Sequence, residues 1–303
     1  MSRARTVFYE AITAMSGLLG DPLFTDKLPF TSPHNTRARI LRNGLTVSAF
    51  SALETYIEDR LDEKIVDLST SRIVYGAFDD RLRRFFSIDA ISGLNNRISF
   101  LEKPNKLSFA ETHLPRLAGF MGQPPQYTGL GFSPKGSNMS AEDIQTLLSS
   151  FGISDPWKSL SGISADLGAS RVSLRDDFLN FVRARNKAAH DSTANTATAD
   201  LQTFIDTALL VGIAADIAFT NALSCFTKAA TFHAAVAAAN KLPLQYRFLD
   251  QSPSGHWNER VGLKGRVIKR YLNRENALRR ASLRRGALLI VVRDLRSIPV
   301  ELI

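Results

Sequence analysis

The sequence predicts an all-α helical bundle with long loops and a small basic α/β appendage at its C-terminal end. Between Arg39 and Leu68, apolar residues recur in steps of three and four, which is the spacing of one buried stripe on a long helix. The Ala-rich run from about Ala199 to Asn240 predicts a second long helix, which Pro243 ends. After Trp257 the chain changes to a basic segment followed by short β-branched runs, which indicates an appendage to the bundle.

Capping and breaking residues predict the elements that follow the first long helix. Shorter helices are expected across Ser71–Phe86 and Ile88–Leu101. Prolines and glycines then make Glu102–Asn138 mostly irregular. The letters Ser-Ala-Glu-Asp from Ser140 resemble a capping box, so a helix is expected from there to about Phe151.

The second half of the chain follows by the same reasoning. A loop over Gly152–Ser170 precedes a helix that begins near Ser173 and ends near His190. In the tail, a basic helix is expected from about Leu263 to Arg285, followed by strand-like runs at Ala287–Val292 and Pro299–Ile303. The predicted domains are a helical bundle over residues 1–242 and a basic C-terminal extension over residues 243–303.

Composition narrows the class of protein. A chain of 303 residues with 44% hydrophobic residues and 19 Phe has enough apolar side chains for a buried core, which argues against disorder. Its single cysteine, Cys225, excludes an intramolecular disulfide and fits the reducing cytoplasm. The most apolar window, Ala208–Phe226, contains Asp216 and is expected to be a buried helix and not a membrane span.

The net charge of +9 is concentrated in the tail. From Trp257 onward there are twelve basic and four acidic residues, a net +8, which leaves +1 for the first 256 residues. Such an excess indicates a polyanionic partner, although any one arginine can equally belong to a solvated helix face. Arg266, Arg270 and Arg274 recur every four residues and predict a basic helical stripe that binds RNA phosphates. An acidic partner protein is the alternative.

The segment from Arg183 to Asp191 contains residues that can cleave RNA without a metal. The neutral imidazole of His190 can accept the proton of a ribose 2′-hydroxyl near neutral pH. A guanidinium can hold the phosphate and stabilise the charge that develops on it. With 27 arginines and 5 histidines, random placement explains one such Arg–His spacing, so only its position at a helix end between core helices favours catalysis.

Arg185-Asn186 followed by Ala189-His190, with Ala52–Tyr56 and Phe151–Trp157 upstream, resembles the HEPN superfamily of helical ribonucleases over about Arg39–Leu223. The resemblance implies a HEPN-like bundle of four or five helices that forms a homodimer with two Arg–His motifs at one cleft. It also implies a metal-independent, cytoplasmic endoribonuclease that leaves a 2′,3′-cyclic phosphate on RNA such as tRNA or mRNA. Many such proteins are toxins with an antitoxin or effectors of defence against phage, so a partner protein of that kind is expected.

Within this resemblance, His190 is the expected general base and Arg185 the phosphate clamp. Asn186 is expected to orient His190 or the phosphate by hydrogen bonding. Arg183 and Lys187 are expected to bind the substrate. Helix geometry places Arg183, Asn186 and His190 within about 60° of one another, and Arg185 about 140° from His190. The family pattern favours Arg185 because a polar residue follows it, and Arg183 is the rival.

Other chemistries lack their motifs. The sequence contains no glycine-rich phosphate loop and no Gly-x-Ser-x-Gly nucleophile elbow, and its scattered histidines lack zinc-ligand spacing. Three other interpretations compete with the ribonuclease hypothesis. His190 can simply be a favourable residue at a negative helix C-terminus. The protein can be a non-catalytic HEPN-like module that binds RNA or a protein, or a purely structural bundle.

Overall fold

The computed structural model describes residues 2–132, 138–169, 171–241, 245–284 and 288–303. The described chain is mostly helical, as predicted. Its C-terminal part contains a five-stranded sheet, of which the sequence predicted two strands. The α-helices are α1 (Arg3–Leu18), α2 (Pro33–Ile65), α3 (Asp80–Arg84), α4 (Ala90–Phe100), α5 (Lys103–Ala118), α6 (Ala141–Ser150), α7 (Pro156–Asp166), α8 (Leu174–His190), α9 (Thr198–Lys228), α10 (Phe232–Ala239) and α11 (Arg274–Arg284). The strands are β1 (Tyr246–Gln251), β2 (Trp257–Val261), β3 (Val267–Tyr271), β4 (Leu289–Arg293) and β5 (Pro299–Leu302).

The chain divides into two compact units. The first consists of Met1–Leu53, Leu160–Ala214 and Pro243–Ile303, and the second of Glu54–Ser159 and Ala215–Leu242. The predicted domain boundary between Leu242 and Pro243 falls outside the described residues, so the division into a bundle and an extension stays a prediction.

The helices with clear sequence signals form where they are expected. The predicted helix from Arg39 is α2, which begins earlier, at Pro33, and ends at Ile65. Ser173 caps α8, because its hydroxyl accepts a hydrogen bond of 3.1 Å from the Asp176 N–H. At α6 the predicted capping box is present in full between Ser140 and Asp143.

Aromatic side chains join α2, α8 and α9 in the first unit. Phe50 of α2 meets Phe181 of α8 edge to face at 5.3 Å between ring centroids. Phe181 also stacks on Phe204 of α9 at 5.1 Å. Phe178 and Phe181 are fully buried, so the apolar face of α8 is fixed against its two neighbours and its polar face is left outward.

In the second unit, α2 and α9 are joined by buried polar contacts. The Asp216 carboxylate of α9 is fully buried. It accepts hydrogen bonds from Tyr56 Oη at 2.7 Å and Arg60 Nε at 2.8 Å, both on α2. A buried carboxylate needs such partners, so these contacts set the register between the two helices.

The most apolar part of α9 is a buried core segment. By length and composition α9 could cross a membrane, with a mean hydropathy of 1.7 over its best window. However, 78% of that window is buried inside the protein.

Two predicted loops contain helices. The loop predicted over Glu102–Asn138 is wrong because α5 begins at Lys103 and runs to Ala118. Pro104 lies in its first turn, where the missing N–H has no helical acceptor to lose. The loop predicted over Gly152–Ser170 is also wrong, because it contains α7. Pro156 is the first residue of α7, so this proline too is accepted in a first turn. Residues 133–137 and Ser170 lie outside the described part of the chain.

Two predicted helices are shorter or divided. The helix predicted over Ser71–Phe86 is wrong over most of its length, because α3 begins only at Asp80, capped by Asp79. The single helix predicted over Ala199–Asn240 is two helices, because Thr231 caps α10 by accepting from the Ala234 N–H at 3.2 Å. Pro243, its predicted terminator, lies outside the described residues.

The C-terminal sheet has the order β3-β2-β1-β4-β5, in which β1 and β4 are parallel and the other pairs are antiparallel. Its core contains residues from the strands and from α11, namely Leu249, Trp257, Tyr271, Ala277, Ala281, Ile290 and Val292. The two predicted strand-like runs are confirmed as β4 and β5, although Ala287 lies outside the described residues.

The basic helix predicted from Leu263 to Arg285 is wrong before Arg274, because Val267–Tyr271 form strand β3 and α11 begins only at Arg274. Its predicted end, Arg285, lies outside the described residues. Four of the five residues of β3 are exposed because β3 is an edge strand. An edge strand exposed on both faces shows no alternation of apolar and polar residues, and arginines four apart imitate a helical stripe.

Candidate functional site

The predicted site lies at the C-terminal end of α8, in the first unit. His190 is the last residue of α8, and Asp191 follows it as the C-cap. Asn186, Lys187 and His190 are all exposed. The phenylalanines of α8 bury one face of the helix, and the site residues occupy the solvent side of its last two turns.

Arg185 is half-buried, and its guanidinium contacts two neighbouring side chains. Its guanidinium lies over the ring of Phe50, with 5.9 Å from Cζ to the ring centroid. Its Nη1 donates to Asn186 Oδ1 at 3.3 Å, and its buried Nε has no hydrogen-bond partner. Phe50 thus contacts the guanidinium, and among the described residues Asn186 Oδ1 accepts the only hydrogen bond that this guanidinium donates.

Arg183, the rival arginine, is exposed, and its Nη1 donates to Asn180 Oδ1 at 3.2 Å. Within the described residues, no hydrogen bond, ion pair or ring contact joins Arg183 or Arg185 to His190. The structure therefore brings Arg185 and Asn186 together and leaves His190 apart from both arginines.

The end of α8 is electrostatically suited to cations. Hydrogen bonds from Thr193, with the charge of Lys187 as a smaller cause, lower the pKa of Asp191. The carbonyl groups at the C-terminus of a helix also favour positive charge in the last turn, where Lys187 and His190 lie. A cationic group such as the Lys187 ammonium is thus favoured at this end.

The turn after His190 is held by two side chains of α2 that the sequence did not single out. Arg42 is 2% exposed, and its Nε donates to the carbonyl oxygen of Thr196 at 2.7 Å. Its Nη2 donates to Asn195 Oδ1, also at 2.7 Å. The adjacent Asn43 donates to the Ala194 carbonyl at 2.8 Å and accepts from the Thr196 N–H at 3.2 Å.

Arg42 also reaches a third segment. Its Nη1 donates to the Phe24 carbonyl at 2.7 Å, and both terminal nitrogens contact the Asp26 carboxylate, at 3.1 and 3.2 Å. The only sequence signal for these two residues is a polar pair, Arg42-Asn43, between Leu41 and Leu45 in a helix predicted to bury that stripe.

The predicted substrate-binding arginines of the tail lie in three different settings. Arg266 precedes β3, Arg270 lies in β3, and Arg274 begins α11, so they do not form a helical stripe. Arg266 and Arg270 are exposed and have no carboxylate partner in the described part of the chain. Arg274 is paired with Glu301.

Several of the tail's cations are occupied within the protein. The paired ones are Arg260 with Asp250, Arg274 with Glu301, Arg284 with Glu259, Arg293 with Asp250, and Arg296 with Asp206 and Asp294. The cations without a carboxylate partner among the described residues are Lys264, Arg266, Lys269, Arg270, Arg279 and Arg280. The positive surface of the sheet is therefore concentrated on β3, the turn before it and the middle of α11.

The surroundings of Glu259 explain its pairing with Arg284. Glu259 is fully buried, which acts to raise the pKa of its carboxyl, but hydrogen bonds from Tyr271, Arg284 and Arg247 outweigh burial and lower that pKa. Tyr271 is thus buried in this cluster and is not a surface aromatic.

No group of three or more His, Cys, Asp or Glu side chains suited to a metal ion occurs among residues 2–132, 138–169, 171–241, 245–284 and 288–303.

Comparison with known proteins covers the region of the candidate site. A family model described as RiboL-PSP-HEPN matches residues 23–221, about two thirds of the chain. The match includes α2, all of α8 and most of α9, and the sheet lies beyond it. Searches of curated proteins and of solved structures gave no match. On the family match, the chain belongs to the RiboL-PSP-HEPN family of the HEPN superfamily.

Proposed function

We propose that this HEPN protein is a metal-independent endoribonuclease that cleaves RNA to a 2′,3′-cyclic phosphate. The observation that carries the proposal is the end of α8. There an exposed histidine follows an arginine that is held by Phe50 and keeps unused donors, inside the segment that matches the family.

In this reaction His190 accepts the proton of the ribose 2′-hydroxyl as its oxygen attacks the phosphorus. The bond from phosphorus to the 5′-oxygen breaks, and that oxygen receives a proton from a second, protonated imidazole. Arg185 stabilises the negative charge on the pentacoordinate phosphate, and Asn186 orients Arg185 through the contact between their side chains. The reaction conserves protons and needs no metal or other cofactor.

The reaction requires a second chain. Arg185 and His190 are not in contact within one chain, and the second imidazole must come from elsewhere. A homodimer in which two α8 ends face one cleft supplies both, with the arginine of one protomer beside the histidine of its partner.

The exposed cations extend the proposed binding surface for RNA. Arg183 and Lys187 flank the catalytic residues on α8. Arg266 and Arg270 on the sheet have no internal carboxylate partner and are suited to phosphate contacts. Arg274 is less suited because Glu301 already neutralises it. A cytoplasmic toxin or antiphage effector, with an antitoxin or defence partner, is the role that fits this activity.

A non-catalytic HEPN module is the second candidate. Two observations favour it: neither arginine contacts His190, and unpaired cations are concentrated on an edge strand. Such a module would bind RNA or an acidic protein without cleaving it.

The test is cleavage of a fluorescent RNA in EDTA by wild type and by His190→Ala. General acid–base catalysis contributes about 10²–10⁴-fold, so the variant should lose that much activity. His233→Ala is the matched control, because His233 is also an exposed helical histidine but lies outside the site. Mass spectrometry should find a 2′,3′-cyclic phosphate. RNA binding without cleavage by wild type would favour the second candidate.

A further inference from the structure

The imidazole of His190 has no side-chain support of its own. Within the described residues it makes no hydrogen bond, ion pair or ring contact. Its location is therefore set by the backbone at the end of α8 and by the turn that follows. The phenylalanines of α8 place the helix, and whatever holds residues 191–196 contributes to the location of its last residue, His190.

That turn is organised from both sides. At its start, Asp191 Oδ1 accepts from the Thr193 N–H at 2.8 Å and from the Thr193 hydroxyl at 2.6 Å. At its end, Arg42 and Asn43 bond to Ala194, Asn195 and Thr196. The first set of contacts is local and exposed, whereas the second joins the turn to buried side chains on α2.

A buried arginine is an unusual choice for stability alone. Removing a guanidinium from water is unfavourable, and well-packed apolar residues often stabilise such a position as well or better. A guanidinium instead offers five N–H donors in fixed directions. Arg42 uses them on two carbonyls, one amide oxygen and one carboxylate from two separate segments of chain. Such a set of bonds fixes a geometry more tightly than apolar packing does.

We propose that Arg42 and Asn43 are positioning residues that place His190 for RNA cleavage by holding the turn after α8. The inference rests on the proposed ribonuclease function for its effect on rate. Arg42 has no contact with the imidazole within the described residues, and acts through the backbone of residues 191–196. Displacement of a catalytic group by about 1 Å can lower a rate by about a hundredfold, so this support is large enough to matter.

The experiment compares Arg42→Lys with Arg60→Lys. Both arginines lie on α2, are buried and pair with an aspartate, but Arg60 bonds Asp216 and not the turn. Lysine keeps the charge and loses the fixed fork of donors. Thermal unfolding measures the stability that each variant loses, so that their activities are compared at equal loss. Initial rates of RNA cleavage give kcat and KM for each variant.

Arg42→Lys should lower kcat by about tenfold or more with KM unchanged, since the base is displaced while the binding cations remain. Arg60→Lys, at the same loss of stability, should keep the wild-type kcat. Equal kcat values in the two variants would overturn the proposal. Asn43→Ala removes three hydrogen bonds to the turn without a change of charge, and it takes the place of Arg42→Lys if that variant does not fold.

Hydrogen exchange separates this proposal from the proposed function. Amides of residues 191–196 should exchange faster in Arg42→Lys and Asn43→Ala than in Arg60→Lys, whether or not the protein cleaves RNA. If wild type is inactive but this contrast is present, the ribonuclease assignment fails and the anchoring of the turn stands. Unchanged exchange in both variants would refute the anchoring directly.

Discussion

The buried carboxylate of Asp216 allows the effect of one substitution on stability to be worked out. In Asp216→Ala the second unit loses the bond from Arg60 Nε at 2.8 Å, the bond from Tyr56 at 2.7 Å and the bond from the Thr220 hydroxyl at 2.9 Å. Removing one partner of a buried ion pair destabilises a protein by about 3–5 kcal/mol, because the other charge is left in the interior. Glu63 still pairs with Arg60, at 3.2 Å, so the lower end of that range is expected.

The assay is urea unfolding followed by circular dichroism at neutral pH, with Asp200→Ala as the control. Asp200 lies exposed in the first turn of the same helix α9, where its interaction with the helix dipole contributes only about 0.3–1 kcal/mol. The double variant Asp216→Ala/Arg60→Met removes the stranded charge and should recover part of the loss.

A loss below about 1 kcal/mol in Asp216→Ala would refute the reasoning, because it would mean that the Arg60 guanidinium finds water or another acceptor at no cost. A double variant no more stable than Asp216→Ala would refute it as well, since the expected penalty belongs to the Arg60 charge that has lost Asp216.

Three further predictions concern the site and the sheet. Arg185→Ala should lower the rate of RNA cleavage by about 10²–10³-fold and Arg183→Ala much less, measured in the same EDTA assay; the reverse order would make Arg183 the catalytic arginine. The lowered pKa of Glu259 stabilises the folded state at neutral pH, and this contribution is lost as the pH falls below the usual value of 4.5, so Tm should fall less steeply with acid in Glu259→Gln than in wild type. Arg266→Ala/Arg270→Ala should reduce the slope of log Kd against log salt by about 0.7–0.9 per lost phosphate contact, whereas Arg274→Ala, already paired with Glu301, should leave the slope unchanged.

The sequence predicted α8 well because its signals are local. Ser173 caps its own helix, the apolar residues recur at helical spacing, and the polar run after His190 ends it. The same local signals gave wrong predictions where one residue type is compatible with two kinds of structure. Proline breaks a helix in its interior but is accepted in its first turn, so α5 and α7 were predicted as loops.

The candidate site was only partly predictable. Its residues on α8 follow from a motif and from a resemblance to HEPN proteins, which the family match confirms at the level of the superfamily. The anchors of the turn lie about 150 positions earlier in the chain, on α2, and no local pattern relates Arg42 to Thr196. The tail's charge was visible in the sequence, but which of its arginines are neutralised by carboxylates was not.

The sequence by itself determined the helical class of this protein, the end of α8 at His190 and the excess of charge in the tail. Each of these depends on neighbours within a few positions, or on composition alone. Tertiary structure decided that Phe50 holds Arg185, that Arg42 and Asn43 hold the turn after His190, and that Arg266 and Arg270 lie on an edge strand and not on a helix. The physical reason is that these features come from contacts between segments far apart in the chain, and such contacts are specified by packing and hydrogen bonding in three dimensions.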